Sequence, residues 1–199
     1  MQIPYYKEGL EVVLKPTVRS LKAAIATYEM QGGTANMVVH DDGIQIISEE
    51  ERAERKEFYE ENNIGWTARP AHKAKLTLKG VETTFLRKGK FKKASNMNFG
   101  MWISCRVEEK LVARQLDSWT ASDEAFEYQE CMKEVLEEDE GTSWAEGMSA
   151  QSRDPTLHSD IWTGNIRFGD YILIIDSDTR VDDEDVVAET NVACPYVRV

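Results

Sequence analysis

The sequence predicts an α/β fold organised around a mainly parallel sheet, and two observations carry that expectation. Over the first 68 residues, short apolar runs alternate with amphipathic stretches in the order strand, helix, strand, helix, strand, the signature of βαβ units. A strongly apolar run, Tyr171 to Ile175, then returns late in the chain and opens into Asp176-Ser177-Asp178. The length of 199 residues suits one domain with a core of its own, residues 1–199, and would cramp two.

Each element has its own signal. Met1 to Tyr6 is apolar until Gly9 interrupts it, as in a strand. Leu10, Val13, Leu14, Val18, Leu21, Ile25 and Tyr28 recur at three and four positions, the spacing of a helix with one apolar face. Pro16 lies inside that run, so either the regular helix begins near it or the helix is kinked there. Gln31-Gly32-Gly33 stops the helix, and Asn36 to His40 reads as a buried strand that ends at Asp41-Asp42-Gly43. Ser48 and Glu51 form a capping box that predicts a helix from Glu49 to Glu61, ended by Asn62-Asn63 and Gly65. Ile64 to Ala68 follows as a third strand.

Beyond Pro70 the chain reads as a basic loop that finishes on Arg87-Lys88-Gly89-Lys90-Phe91-Lys92-Lys93. Ser95 to Arg114 predicts a helix with Met97, Met101, Trp102, Cys105 and Leu111 facing inward, and Asp123 to Glu138 another, whose acidic last turn opposes the helix dipole. Glu140 to Asp160 reads as a long surface loop, Tyr171 to Ile175 as the most apolar strand, and Asp182-Asp183-Glu184-Asp185 as the acidic start of a last helix.

Charge narrows the possible partners. The formal net charge of −12 argues against nucleic acid and against an anionic membrane surface. It is unevenly spread: residues 69–93 hold nine Lys or Arg against the single acid Glu82, whereas residues 107–140 hold twelve acids against three bases. A local anion site is therefore compatible with an acidic protein. Three cysteines, with no C-x-x-C pair, argue against a disulfide framework or a zinc site and for a reducing compartment. No stretch reaches the roughly twenty apolar residues that span a bilayer, and no leader pattern opens the chain, so the expectation is a soluble, cytoplasmic chain.

The chemical motifs sit at strand ends and at one helix start. In a parallel α/β sheet, ligands bind outside the carboxyl ends of the strands. Asp176 and Asp178 there have the spacing that suits a hard divalent cation also held by phosphates, although an ordinary polar strand exit reads the same way. An EF-hand is excluded by Arg180 and Val181 at positions that need a ligand and a glycine. Asp41-Asp42-Gly43 is a second acidic exit and equally a common turn. Lys93-Ala94-Ser95-Asn96-Met97-Asn98 is a basic segment entering a helix, either a solvated cap or a phosphate site. Neither nucleotide-binding glycine fingerprint, nor a G-x-S-x-G elbow, occurs, and His40, His72 and His158 are too far apart in sequence to suggest a triad.

Taken in order, Pro4-Tyr5-Tyr6-Lys7-Glu8-Gly9, Asp41-Asp42-Gly43, Lys93 to Asn98 and Asp176-Ser177-Asp178 resemble the successive nucleotide-sugar motifs of family 2 glycosyltransferases, the group of cellulose, chitin and hyaluronan synthases. The fungal cellulose-synthase-like members are the most similar, through Leu21 to Ile25, Gln31 to Asn36, and Gly65-Trp66 with Arg69-Pro70. The resemblance implies a GT-A fold, a Rossmann-like nucleotide-sugar-binding sheet with flanking helices, incomplete at its C-terminal end. It also implies a UDP-sugar as donor and Mg²⁺ or Mn²⁺ as cofactor. Carried over by position, Pro4 and Tyr6 lie beside the nucleobase, Asp41 contacts the uridine portion and Lys93 approaches the nucleotide diphosphate. Asp176 meets the nucleoside and Asp178 the metal, while Asn96 and Asn98 shape the first helical turn.

The departures matter as much. Ser95 stands where many relatives carry Gly. The Thr-Glu-Asp type motif that supplies the family's general base, the Gln-x-x-Arg-Trp type motif that binds the glycan acceptor, and the membrane helices that anchor the cytosolic catalytic domain are not in the sequence. The expectation is a donor-binding half that transfers little sugar alone, since a positioned base contributes on the order of 10² to 10⁴ in rate. Its competitors are a non-catalytic module that binds nucleotide sugar or metal, and a relic without a role.

Overall fold

A computed structural model describes residues 1–69, 72–78, 81–87, 93–115, 119–137, 162–163 and 165–179. The expected segment 140–160 and the acidic run 182–185 lie outside them.

Three short strands, β1 (Gln2–Tyr5), β2 (Val38–Asp41) and β3 (Gly65–Thr67), pair in parallel, with Gln2 opposite Val38 and Val38 opposite Gly65. A two-residue strand, β6 (Trp162–Thr163), adds antiparallel to β3, and the sheet order is β1-β2-β3-β6. The parallel α/β sheet expected from the alternation is thus present. Its first two connections are α1 (Lys15–Met30) and α2 (Glu49–Glu61).

Pro16 decides how α1 begins. With no N–H, it cannot close an ordinary helical bond onto the carbonyl four residues back. The residues just before it, Leu10–Leu14, instead form a short π-helical turn closed by the Lys15 N–H on the Leu10 carbonyl, and the regular helix starts at Lys15 with proline in its first turn. α2 has the bounds its capping box predicts: the Ser48 hydroxyl accepts from the Glu51 amide at 3.2 Å, while the Glu51 carboxylate accepts from the Ser48 amide at 3.1 Å.

Side-chain alternation along the strands divides the core in two. Ile3, Tyr5, Val39 and Trp66 face one side, against Leu14, Val18 and Leu21 from the first helix and Phe58 and Tyr59 from the second. Val38 faces the other, against Phe99, Ile103 and Val107 of α3 (Lys93–Arg114) and Tyr128, Met132 and Val135 of α4 (Ala121–Glu137). The described molecule is therefore a helix layer, a sheet and a second helix layer.

Three expectations are corrected. The basic loop holds a hairpin, β4 (Ala74–Leu78) and β5 (Val81–Phe85), paired antiparallel with Ala74 opposite Phe85. The buried face of α3 runs through Asn96, Phe99, Gly100, Ile103, Ser104, Val107 and Leu111. Met97, Met101 and Trp102 lie at its flanks and Cys105 is exposed, because the helix seats on His40 at Gly100, where a Cβ would lie 2.3 Å from His40 Cε1, and the stripe through that position carries Phe99, Ile103 and Val107.

Tyr171 to Ile175 is the third correction. It forms a single parallel bridge, Ile174 to Gln2, and no ladder. The Gln2 N–H donates to the Leu173 carbonyl at 2.7 Å and the Ile175 N–H to the Gln2 carbonyl at 3.0 Å. The next rung would need a donor from Pro4, which has none. Ladder growth stops there, and Tyr171 to Ile174 stay exposed.

Candidate functional site

The described sheet grows in one direction, β1 to β2 to β3, with α1 and α2 on one face. The chain then crosses to the other face as α3 and α4, and segment 173–175 comes back to the far side of β1. The order of growth reverses at β1. In an open α/β sheet such a reversal leaves a crevice at the carboxyl ends of the flanking strands, where ligands bind. The exits of β1 and β2 and the turn at 176–178 all belong to that end of the sheet.

Asp41 ends β2 with its side chain wholly enclosed. Oδ1 accepts from the amides of Gly43 at 3.0 Å and Ile44 at 3.1 Å, and both carboxylate oxygens take the Arg55 Nη1 at 2.9 and 3.0 Å. The Tyr59 hydroxyl donates to Oδ2 at 2.9 Å. Burial pushes the Asp41 carboxyl above its ordinary range, against the Arg55 guanidinium and these donors, which favour the anion. The Tyr59 phenol is pushed well up by burial, with the Asp41 charge adding to it.

Arg55 also ties the two strand exits together. Its Nη1 donates to the Tyr6 carbonyl at 2.9 Å, its Nη2 to the Glu8 carbonyl at 3.1 Å, and the guanidinium lies 4.2 Å from the centre of the Tyr5 ring. The exits are pressed close. A Cβ at Gly43 would lie 1.6 Å from the Tyr6 carbonyl oxygen, so no larger residue fits there without moving backbone.

Asp42 is buried beside it in a second ionic cluster. Arg69 Nε donates to Oδ1 at 2.9 Å and Arg69 Nη2 to Oδ2, while Arg87 Nη1 stands 3.6 Å from Oδ2. Arg87 further donates to the carbonyls of Asp42 at 3.1 Å and Arg69 at 2.8 Å, and Arg69 Nη1 reaches the Ser95 hydroxyl at 2.9 Å. Burial lowers the Arg87 pKa, the neighbouring Asp42 charge opposing it. Through Ser95 this cluster connects the β2 exit to the start of α3.

The start of α3 is fastened to the sheet by Asn96, whose Nδ2 donates to the His40 carbonyl at 2.7 Å. Lys93, in the first turn, forms an ion pair with Asp176. Both side chains are more than half exposed, 57% and 56%. Asp178 is exposed beside them. Ser177 between the two is buried, and its carbonyl accepts from the Thr17 hydroxyl at 2.8 Å, pinning the turn onto the beginning of α1. The Thr179 amide closes the turn on the Asp176 carbonyl at 3.0 Å.

Of the residues singled out from the sequence, the structure joins Lys93 to Asp176 and leaves Asp178 open beside them. Tyr6 is half-buried at the β1 exit, with its amide donating to Glu8 Oε2 at 2.8 Å. Pro4 is buried within β1, opposite His40. Asp41 turns no carboxylate edge outward. Arg55, Arg69 and Arg87 were not singled out as site residues. For Arg55 the available signal was a cation three and four positions before Phe58 and Tyr59, on the apolar face of α2.

A cavity of about 480 Å³ opens beside the β1 exit, between Gly9 to Val12 and Ile46 to Ser48, with Glu51 and Glu54 on its wall. It is lined by none of Asp41, Lys93, Asp176 and Asp178. Among the described residues no three His, Cys, Asp or Glu side chains are grouped to hold a metal. Asp178 makes no ion pair among them, while Asp176 is engaged by Lys93. Comparisons with protein families, with curated proteins and with solved structures find no match for this chain.

Proposed function

We propose that the chain is the donor-binding part of a glycosyltransferase of the family 2 type, with a GT-A-like sheet that holds a UDP-sugar for transfer to a glycan acceptor. The observation that supports it best is the Lys93–Asp176 pair, which joins the N-terminus of α3 to the D-x-D turn at the reversal of the sheet. A helix N-terminus with a lysine in its first turn attracts a diphosphate. An exposed ion pair contributes about 0 to 1 kcal/mol, so Lys93 exchanges Asp176 for a phosphate oxygen at little cost.

The donor set fits a hard divalent ion. Mg²⁺ takes one or two carboxylates and completes its shell with water and substrate phosphates, and Asp178, with Asp176 once Lys93 has moved, supplies that number. Bound there, Mg²⁺ or Mn²⁺ would neutralise charge on the diphosphate. Asp41 works through its neighbours in this reading. It holds the Gly43 and Ile44 amides and Arg55, and thereby the spacing of the two strand exits beside the nucleoside.

The enclosure of Asp41 favours a second reading, a module that binds the nucleotide sugar without transferring it. Both readings require recognition of the diphosphate. Calorimetric titration should give UDP about tenfold or more tighter binding than uridine, and Lys93→Ala should remove most of that difference. Equal affinity for UDP and uridine in the unaltered chain would contradict the proposal.

A further inference from the structure

The run Tyr171 to Ile175 is left exposed in a way a finished sheet edge is not. Relative exposures are 62% for Tyr171, 45% for Ile172, 53% for Leu173 and 56% for Ile174. Edge strands are ordinarily blunted by charge, by proline or by a covering element, and this run has neither charge nor proline. Its hydrogen bonding is directional. Leu173 and Ile175 give their carbonyl and amide to Gln2, so Ile174, the bridge residue between them, points its own N–H and C=O away from β1, as the parallel pattern requires. Neither group has a backbone partner among the described residues.

The flanks are acidic. Asp170 precedes the run and Asp178 follows it, both exposed and neither in an ion pair among the described residues. A chain of net charge −12 repels a second copy of itself, whereas acidic flanks attract basic ones.

We infer that the outer edge at Tyr171 to Ile175 is a docking site for an extended segment of another protein, with alternating aliphatic residues and Lys or Arg at both ends. The segment adds a strand beyond Ile174. Backbone bonds to Ile174 set its register, and its aliphatic side chains cover the exposed residues, the usual division of labour in strand addition. The inference rests on the edge geometry and not on the nucleotide-sugar reading. Its link to function is spatial: Asp176 and Asp178 follow directly on the exposed run.

Fluorescence anisotropy with the full chain and a labelled peptide Lys-Lys-Thr-Val-Thr-Val-Thr-Lys-Lys tests it. Binding should saturate, weaken with added salt, and fall about tenfold for the same peptide N-methylated at two consecutive central residues, which blocks one N–H on each edge. Ile174→Pro removes the outward N–H and leaves both bonds to Gln2 in place, so it should weaken binding by a similar factor. Should that variant not fold by circular dichroism, the methylated peptide still discriminates, because the protein is unaltered. Asp170→Lys should weaken the basic peptide and improve one flanked by Glu. The inference is overturned by absence of saturable binding, by methylated and plain peptides binding alike, or by a Glu-flanked peptide binding the unaltered chain as tightly. A dimer that Ile174→Pro dissociates would also overturn it, since the occupant would then be a second copy.

Discussion

His40 shows how strongly burial acts in this small sheet. Its Nδ1 lies 2.8 Å from the Thr67 hydroxyl and its Nε2 2.5 Å from the Gln2 side-chain oxygen. Both partners are able to accept, so the contacts by themselves tolerate an imidazolium. Burial is what opposes the charge, with the positive N-terminus adding to it, and together they bring the pKa down to about 3. The unfolded chain then binds the extra proton more readily than the folded one. Stability from a neutral His40 is complete above about pH 6.5 and is lost as pH falls toward about 3, by roughly 1.4 kcal/mol per pH unit. Asp41 acts with the opposite sign, because a raised folded pKa favours the folded state as pH falls. Comparing urea-unfolding free energies of the chain and of His40→Gln between about pH 6.5 and about pH 4.5 separates the two. The variant should show a slope smaller by about one proton, and parallel slopes would show that His40 is not the titrating group.

Between elements, the decisive contact is that of α3 with β2. A Cβ at Gly100 would lie 2.3 Å from His40 Cε1, so glycine is what lets the helix seat on the ring. Gly100→Ala should cost about 1 to 3 kcal/mol, while Asn98→Ala on the exposed side of the same helix should stay within about 0.5 kcal/mol. Thermal unfolding of the two variants checks this. The same contact explains what the sequence did and did not reveal. Local signals were readable: the Ser48 and Glu51 box predicted α2 from Glu49 to Glu61, and the acidic end of β2 lay where Asp41 stands. Large apolar residues lie on more than one face of α3, Met97, Met101 and Trp102 as well as Phe99, Ile103 and Val107, so its sequence does not single out the inward one; the close approach of Gly100 to His40 decides it. The hairpin is hidden by the surrounding lysines, although residues 74–78 alternate apolar and polar in sequence. Tyr171 to Ile175 has every strand property of its own. What ends its ladder is Pro4, about 170 positions away.

In the molecule as a whole, the sheet reverses its order at β1, and the strand exits and the turn at 176–178 meet there. No helix among the described residues is long and apolar enough to cross a membrane. Lys93 and Asp176 are 83 positions apart in the chain and meet in the fold. The arginine clusters that enclose Asp41 and Asp42 were not anticipated, because which helix and loop cations converge on a strand end is a property of three-dimensional layout. The binding proposed for this crevice is that of a nucleotide diphosphate sugar, through Lys93 and a metal held at Asp178. Titration of a UDP-sugar into the chain with and without Mn²⁺ tests it most directly. Mn²⁺ should tighten binding by about tenfold or more, and Asp178→Asn should abolish that gain while leaving the weak metal-free binding in place. Affinity that is the same with and without Mn²⁺, or a full metal effect in Asp178→Asn, would contradict it.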